Sequence, residues 1–254
     1  IYMLEEGQGD LTTMDDAINQ SRVAESLAPG TLEVHRARGL VLEYTSNYEE
    51  AIAEFEAAIA LNPNIADLHL ALGRNYFYLQ EYNDAITEYS RANALNPRDS
   101  TPETLISRTY AINGDYQKAI QYAEAALLDE PQNPFLYGNL GLIYSSATQY
   151  LDAIDFLRIA IRGGTSSDGA PVEGIPMAYG RVAQFYYTYG LAIAREGQCG
   201  EAIQISLAIQ NGLRNDDVAV YNAEEMMKIC EGTDTENGEE PIPTDSPQEE
   251  TPAP

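Results

Sequence analysis

The sequence has no tryptophan, two lysines (Lys118 and Lys228), two histidines (His35 and His69) and two cysteines (Cys199 and Cys230). The small set of cations, almost all arginine, faces forty acidic residues, for a net charge of −26. Ordinary nucleic-acid binding needs clustered Lys and Arg against phosphate, so that class is excluded. An anionic membrane surface is excluded for the same reason. A basic partner, a divalent cation or plain solubility each suits such a charge. Two cysteines without third and fourth ligands nearby do not make a zinc site. No hydrophobic run is long enough to span a bilayer; the most apolar stretch, Val182 to Ala194, is short and contains Gln184. No nucleophile motif, phosphate loop or zinc-protease pattern is present, so neither an enzyme activity nor a cofactor is assigned.

What the chain does have is a period. Pro29, Pro63, Pro97 and Pro131 stand 34 positions apart, as do Ala17, Ala51, Ala85, Ala119 and Ala153, and Tyr48, Tyr82, Tyr116 and Tyr150. A fixed period of this size marks units that bury their apolar faces against one another. Between Leu32 and Pro63 the apolar and small residues recur at helical spacing, with a break at Ser46-Asn47 and a stop at Asn62-Pro63. That predicts helix, turn, helix, stop. Gly39, Gly73, Gly141 and Gly190 share the eighth place of their units, opposite Ala51, Ala85, Ala153 and Ala202 at the twentieth. Small residues at facing places let antiparallel helices approach closely. Tyr76, Tyr110, Tyr144, Phe55 and Tyr89 are expected to fill the layer around that contact.

The unit from Ala66, with Leu72, Gly73, Tyr76, Ala85, Tyr89, Ala92 and Pro97, resembles the tetratricopeptide repeat. His69 stands where that family prefers Trp, Arg38 replaces its usual Leu, and Ser107 replaces its Gly. The resemblance covers residues 11 to about 230. It implies an all-α, right-handed superhelical solenoid of antiparallel helix pairs, with a concave face lined by first helices.

The expected organisation has five parts. Residues 1–29 are a truncated first repeat with only its second helix. Residues 30–163 are full repeats, and 164–178 are a Gly/Pro-rich insert where the phase breaks. Residues 179–230 are a further repeat and a capping helix. Residues 231–254, with eight acidic residues, five Pro and no basic residue, are an acidic, Pro-rich tail expected to be disordered. Removing those carboxylates still leaves residues 1–230 at −18. The chain starts at Ile1 inside an incomplete unit, so the native N-terminus is expected upstream.

Cys199 takes the place that tyrosine holds in other units, at the start of a second helix, and Cys230 ends the next helix. In a stack of hairpins those points are neighbours. A Cys199–Cys230 disulfide is the expectation, with a pair of buried free thiols as the alternative; the disulfide would place the protein in an oxidising compartment. His35 and His69, one repeat apart, are read as packing residues rather than a metal or catalytic pair.

In the family, places two, five, nine, twelve and thirteen of each unit point into the groove. The candidate peptide-binding residues that follow are Arg36, Tyr44, Leu70, Arg74, Phe77, Tyr78, Arg108, Tyr187 and Arg195. Arginines beside aromatics in an acidic protein suit a partner carboxylate. The alternative is that Arg36, Arg74 and Arg108 pair internally with Glu33, Asp67 and Glu43. The Lys/Asn carboxylate clamp of chaperone-binding relatives is absent, since Leu40, Arg74 and Arg108 occupy its Asn places. The expectation is therefore a non-catalytic scaffold that binds a protein or peptide in its groove. The alternative is a structural subunit of a larger, envelope-associated assembly. The expected setting is extracytoplasmic, in a bacterium, with the cytoplasm as alternative.

Overall fold

The computed structural model describes residues 11–236, with side chains from 16 to 232. Residues 1–10 of the truncated repeat and 237–254 of the expected tail lie outside the described residues. The chain forms two compact units, divided after Met177.

The first unit holds nine helices among its described residues: α1 (Leu11–Leu27), α2 (Leu32–Tyr44), α3 (Tyr48–Leu61), α4 (Ala66–Tyr78), α5 (Tyr82–Leu95), α6 (Thr101–Ile112), α7 (Tyr116–Asp129), α8 (Pro134–Ser146) and α9 (Tyr150–Arg162). Each first helix packs on the second helix of its own hairpin and on the second helix before it, as in α3 on α4 and α5 on α6. This is an all-α solenoid of helical hairpins.

The turn inside each hairpin explains the break in periodicity. Its fifteenth-place residue is left-handed in every full unit: Ser46 at φ 60°, Gln80 at 64°, Gly114 at 83° and Thr148 at 62°. The next amide reaches back to close the first helix, Asn47 N–H donating to Leu42 C=O and Glu81 N–H to Tyr76 C=O. That is the Schellman arrangement, which satisfies carbonyls the helix end leaves over. Only Gly114 meets the left-handed requirement without a Cβ penalty; Thr148, branched at Cβ, carries the most strain.

The glycine–alanine contact is as tight as the pattern demands. A Cβ on Gly73 would lie 2.6 Å from Tyr89 Cε1 and 3.1 Å from the Ala85 carbonyl oxygen. On Gly39 it would meet Phe55 at 2.8 Å, and on Gly141 it would meet Leu157 at 2.6 Å. Phe55, Tyr89 and Leu157 are fully buried. The departure at Ser107 is compensated across the hairpin. Its place-24 partner is the small Ala123, and Ser107 Oγ donates to Ala119 C=O at 2.7 Å.

The segment after α9 forms a short hairpin of β1 (Gly164–Thr165) and β2 (Pro171–Val172), antiparallel, with Gly164 opposite Val172. Ile175 N–H donates to Ala160 C=O and ties the segment back onto α9. At the hairpin tip Asp168 accepts from the Ser166 hydroxyl and from Ala170 N–H, and these bonds hold its carboxyl below the usual range.

The second unit contains α10 (Arg181–Arg195), α11 (Cys199–Gly212) and α12 (Asp217–Glu236). Here a Cβ on Gly190 would meet Met226 of α12, at 2.5 Å from sulfur. So α12 supplies part of the layer that the second helix fills in the first unit. The helix continues to Glu236, six residues beyond Cys230, into the span expected as tail. Nothing in the sequence between Glu231 and Glu236 breaks a helix strongly except Gly232. Cys199 and Cys230 form a disulfide, with Cα atoms 5.4 Å apart, clipping the start of α11 to α12.

Candidate peptide-binding face

The site residues of the first unit come from α2, α4 and α6. Residues three, four and seven apart share one face of a helix, so Arg36, Glu43 and Tyr44 line up on α2. Arg74, Phe77 and Tyr78 do so on α4, and Arg108 and Ile112 on α6. One row of this face is apolar and exposed: Tyr44 is 48% exposed, Tyr78 53% and Ile112 52%, each at the same place of successive units. Tyr78 stacks on Tyr48 with ring centroids 4.8 Å apart.

A charged row runs beside it, and its pairing follows a fixed step. Arg36 Nη2 lies 3.3 Å from Asp67 Oδ2. Arg74 grips Glu43 with both edges of its fork, Nε to Oε1 at 2.7 Å and Nη2 to Oε2 at 3.2 Å. Both pairs are separated by 31 residues, joining one first helix to the next. Arg36–Asp67 is solvent-exposed and contributes little. Glu43 is 15% exposed, so the bidentate pair is the stronger one. The same step from Phe77 leads to Arg108. There the carboxylate is missing, and the guanidinium lies 5.3 Å from the centre of the Phe77 ring instead. The internal-pairing alternative therefore describes Arg36 and Arg74, but not Arg108.

Arg74, Phe77, Tyr78, Tyr89, Leu105 and Arg108 border a shallow cleft of about 30 Å³. Tyr89 is its floor. Burial drives the Tyr89 phenol pKa upward, against the opposing charges of Arg74 and Arg108. Leu70, expected on this face, is 7% exposed and packs with Tyr89 and Ile106. Place five of this unit turns between α4 and α6, where a long Arg can emerge but a Leu stays inside. Tyr187 and Arg195 both lie on α10 of the second unit. Tyr187 is half-buried, and its phenol is raised by that burial and by Asp216. Arg195 is exposed in the last turn of α10.

The histidines are held by glutamates that the repeat pattern did not single out. His35 Nδ1 lies 2.6 Å from Glu54 Oε2, and His69 Nδ1 lies 2.7 Å from Glu88 Oε2. The recurring separation of 19 residues was the available clue. His69 Nε2 also reaches Pro63 C=O at 3.0 Å. Tyr137, at the equivalent place of a later unit, sends its hydroxyl to Pro131 C=O at 2.9 Å. In these two units the place where the family prefers Trp is thus a hydrogen-bonding strut to the preceding loop. Among the described residues no group of three or more His, Cys, Asp or Glu could hold a metal ion. No described helix is long and apolar enough to cross a membrane. A larger opening, about 720 Å³, lies away from this face, between α1, α2 and α3. Arg38 there is paired with both Glu25 and Glu54.

Two family models, both described as tetratricopeptide repeat, match residues 45–108 and 105–170. No curated protein matches significantly. Among solved structures, PilF of Pseudomonas aeruginosa is 16% identical, covers 87% of this chain and 91% of its own, and has a TM-score of 0.65. PilW, described as a widely conserved type IV pilus biogenesis factor, is 16% identical over 82% of this chain and 89% of its own, at 0.66. YrrB, described as a TPR protein with an unusual peptide-binding site, is 21% identical over 73% and 85%, at 0.53. At these identities the likeness is one of fold.

Proposed function

This chain belongs to the tetratricopeptide repeat family, and from that premise we propose that it is a non-catalytic scaffold whose first-helix face holds an extended segment of a protein partner. The fold favours protein partners in general. The observation that carries the finer reading is the exposed row of Tyr44, Tyr78 and Ile112. Three large apolar side chains at one repeated place, facing solvent beside arginines, suit an extended chain that crosses several repeats. A triple Tyr44→Ser, Tyr78→Ser, Ile112→Ser variant should fold, because none of the three is in the core. It is expected to lose partner capture from extract of the native organism. Capture equal to wild type would reject the reading.

A second reading is supported by different observations. The Cys199–Cys230 disulfide suits an oxidising, extracytoplasmic setting. Leu27, Leu61 and Leu95, also one repeat apart, are exposed at the ends of second helices. With PilW named as a pilus biogenesis factor, these fit a subunit of an envelope assembly. Sedimentation across a concentration range tests for self-association, and a monomer at every concentration would count against association through that row.

A further inference from the structure

We infer that the Phe77–Arg108 step binds the side-chain carboxylate of an Asp or Glu inside the bound segment, flanked on both sides by apolar residues; this rests on the groove reading above. At two steps of the first-helix face the arginine is neutralised from the neighbouring helix, Arg36 by Asp67 and Arg74 by Glu43. At the third, the register puts Phe77 where the carboxylate would be. A ring face attracts the guanidinium charge but accepts none of its five directed N–H donors. Among the described residues no carboxylate lies within ion-pair distance of Arg108, in a chain with a net charge of −26. The cleft beside it, about 30 Å³ and floored by Tyr89, is on the scale of a small polar head group.

The source of the carboxylate follows from what surrounds it. Arg74 is already committed to Glu43, so one fork remains, and one fork matches one carboxylate. The apolar row continues on both sides of the step, with Tyr44 and Tyr78 one way and Ile112 the other. A segment that covers all three must continue past Arg108 to Ile112, one turn further along α6. A chain end at Arg108 would cover Tyr44 and Tyr78 but leave Ile112 bare.

The test is peptide selection on the full chain with two phage libraries of random dodecamers, one flanked by fixed sequence and one with a free C-terminus. Wild type is expected to enrich flanked peptides with Asp or Glu at one position between apolar residues. A winning peptide is then made acetylated and amidated, and its anisotropy titration repeated with the acid changed to Gln. That change should weaken binding at least about tenfold on wild type. On Arg108→Gln it should have almost no effect, while the melting temperature stays at the wild-type value. Enriched peptides that need Tyr44, Tyr78 and Ile112 but show no acidic preference would overturn the inference and leave the groove reading standing. Enrichment only from the free-C-terminus library would overturn the internal source. No enrichment from either would overturn both.

Discussion

Replacing Gly73 tests the close approach on which every hairpin of the first unit depends. The Cβ of Gly73→Ser would sit 2.6 Å from Tyr89 Cε1, where carbon contacts settle near 3.5–4.0 Å, so the ring must retreat by about 1 Å. Tyr89 is 1% exposed and has nowhere to go. Overpacking of this kind costs about 1–3 kcal/mol, offset in part by helix propensity, where Gly is the poorer residue by a few tenths to about 1 kcal/mol. Tyr89→Ala alone removes a buried ring and should cost about 3–5 kcal/mol. The third full unit shows how the two changes fit together. It carries Ser107 opposite Ala123, with the Ser hydroxyl bonded to the Ala119 carbonyl. The double variant Gly73→Ser, Tyr89→Ala rebuilds that arrangement, since the introduced hydroxyl can donate to the Ala85 carbonyl. Urea unfolding of the four proteins, followed by circular dichroism, is expected to give a double variant more stable than the sum of its singles by at least about 1 kcal/mol. Singles that add within about 0.5 kcal/mol would refute the claim that glycine is there to admit the ring.

Arg74→Gln should lower stability by about 1–3 kcal/mol, because it strands Glu43 with 15% of its side chain exposed, whereas Arg108→Gln should leave the melt unchanged. Equal effects on thermal unfolding would mean that the two arginines are not differently employed. For the same reason Arg74→Glu is a poor probe of binding, since it sets two carboxylates face to face. Opening the disulfide with Cys199→Ser and Cys230→Ser, which frees a loop closed across 31 positions, should cost the second unit about 3–4 kcal/mol. An unchanged melt, or free thiols found by alkylation of native protein, would contradict it. Glu103 is raised above the ordinary range mainly by burial, and by Asp129 and Asp99, against the bond donated by Asn93. Between the unfolded and the folded pKa the folded chain therefore binds more proton than the unfolded one. Its stabilising share is full below the unfolded pKa and is lost as pH rises through the folded one. Glu103→Gln should remove that loss and raise stability at pH 7, with the gap closing towards pH 4. Melts with the same pH slope for both proteins would refute this.

The repeat was legible because its causes are local and recur. Helical spacing, a stop at Asn-Pro and a small residue at two fixed places each constrain the backbone wherever they appear. The histidines and the place-24 residues were harder to read. Their partners lie 16 to 19 positions away, and the meaning of Ser107 is visible only beside Ala123. The groove was read from family positions that treat each unit alike. That treatment placed Arg36, Arg74, Phe77, Tyr78 and Arg108 on one face, and it failed for Leu70, which a one-place rule cannot distinguish from Arg36.

By itself, then, the sequence determined the period, the hairpin, the identity of the close-packed glycines and the pair of cysteines able to meet. Each of these follows from residue chemistry at short range or from exact repetition. The tertiary structure alone decided which arginines are paired and which is left. That outcome depends on a step of 31 residues between neighbouring first helices, and on whether its far end is Glu43 or Phe77. It also decided that α12 closes the layer over Gly190 through Met226, because only packing shows which side chain fills the space a glycine leaves.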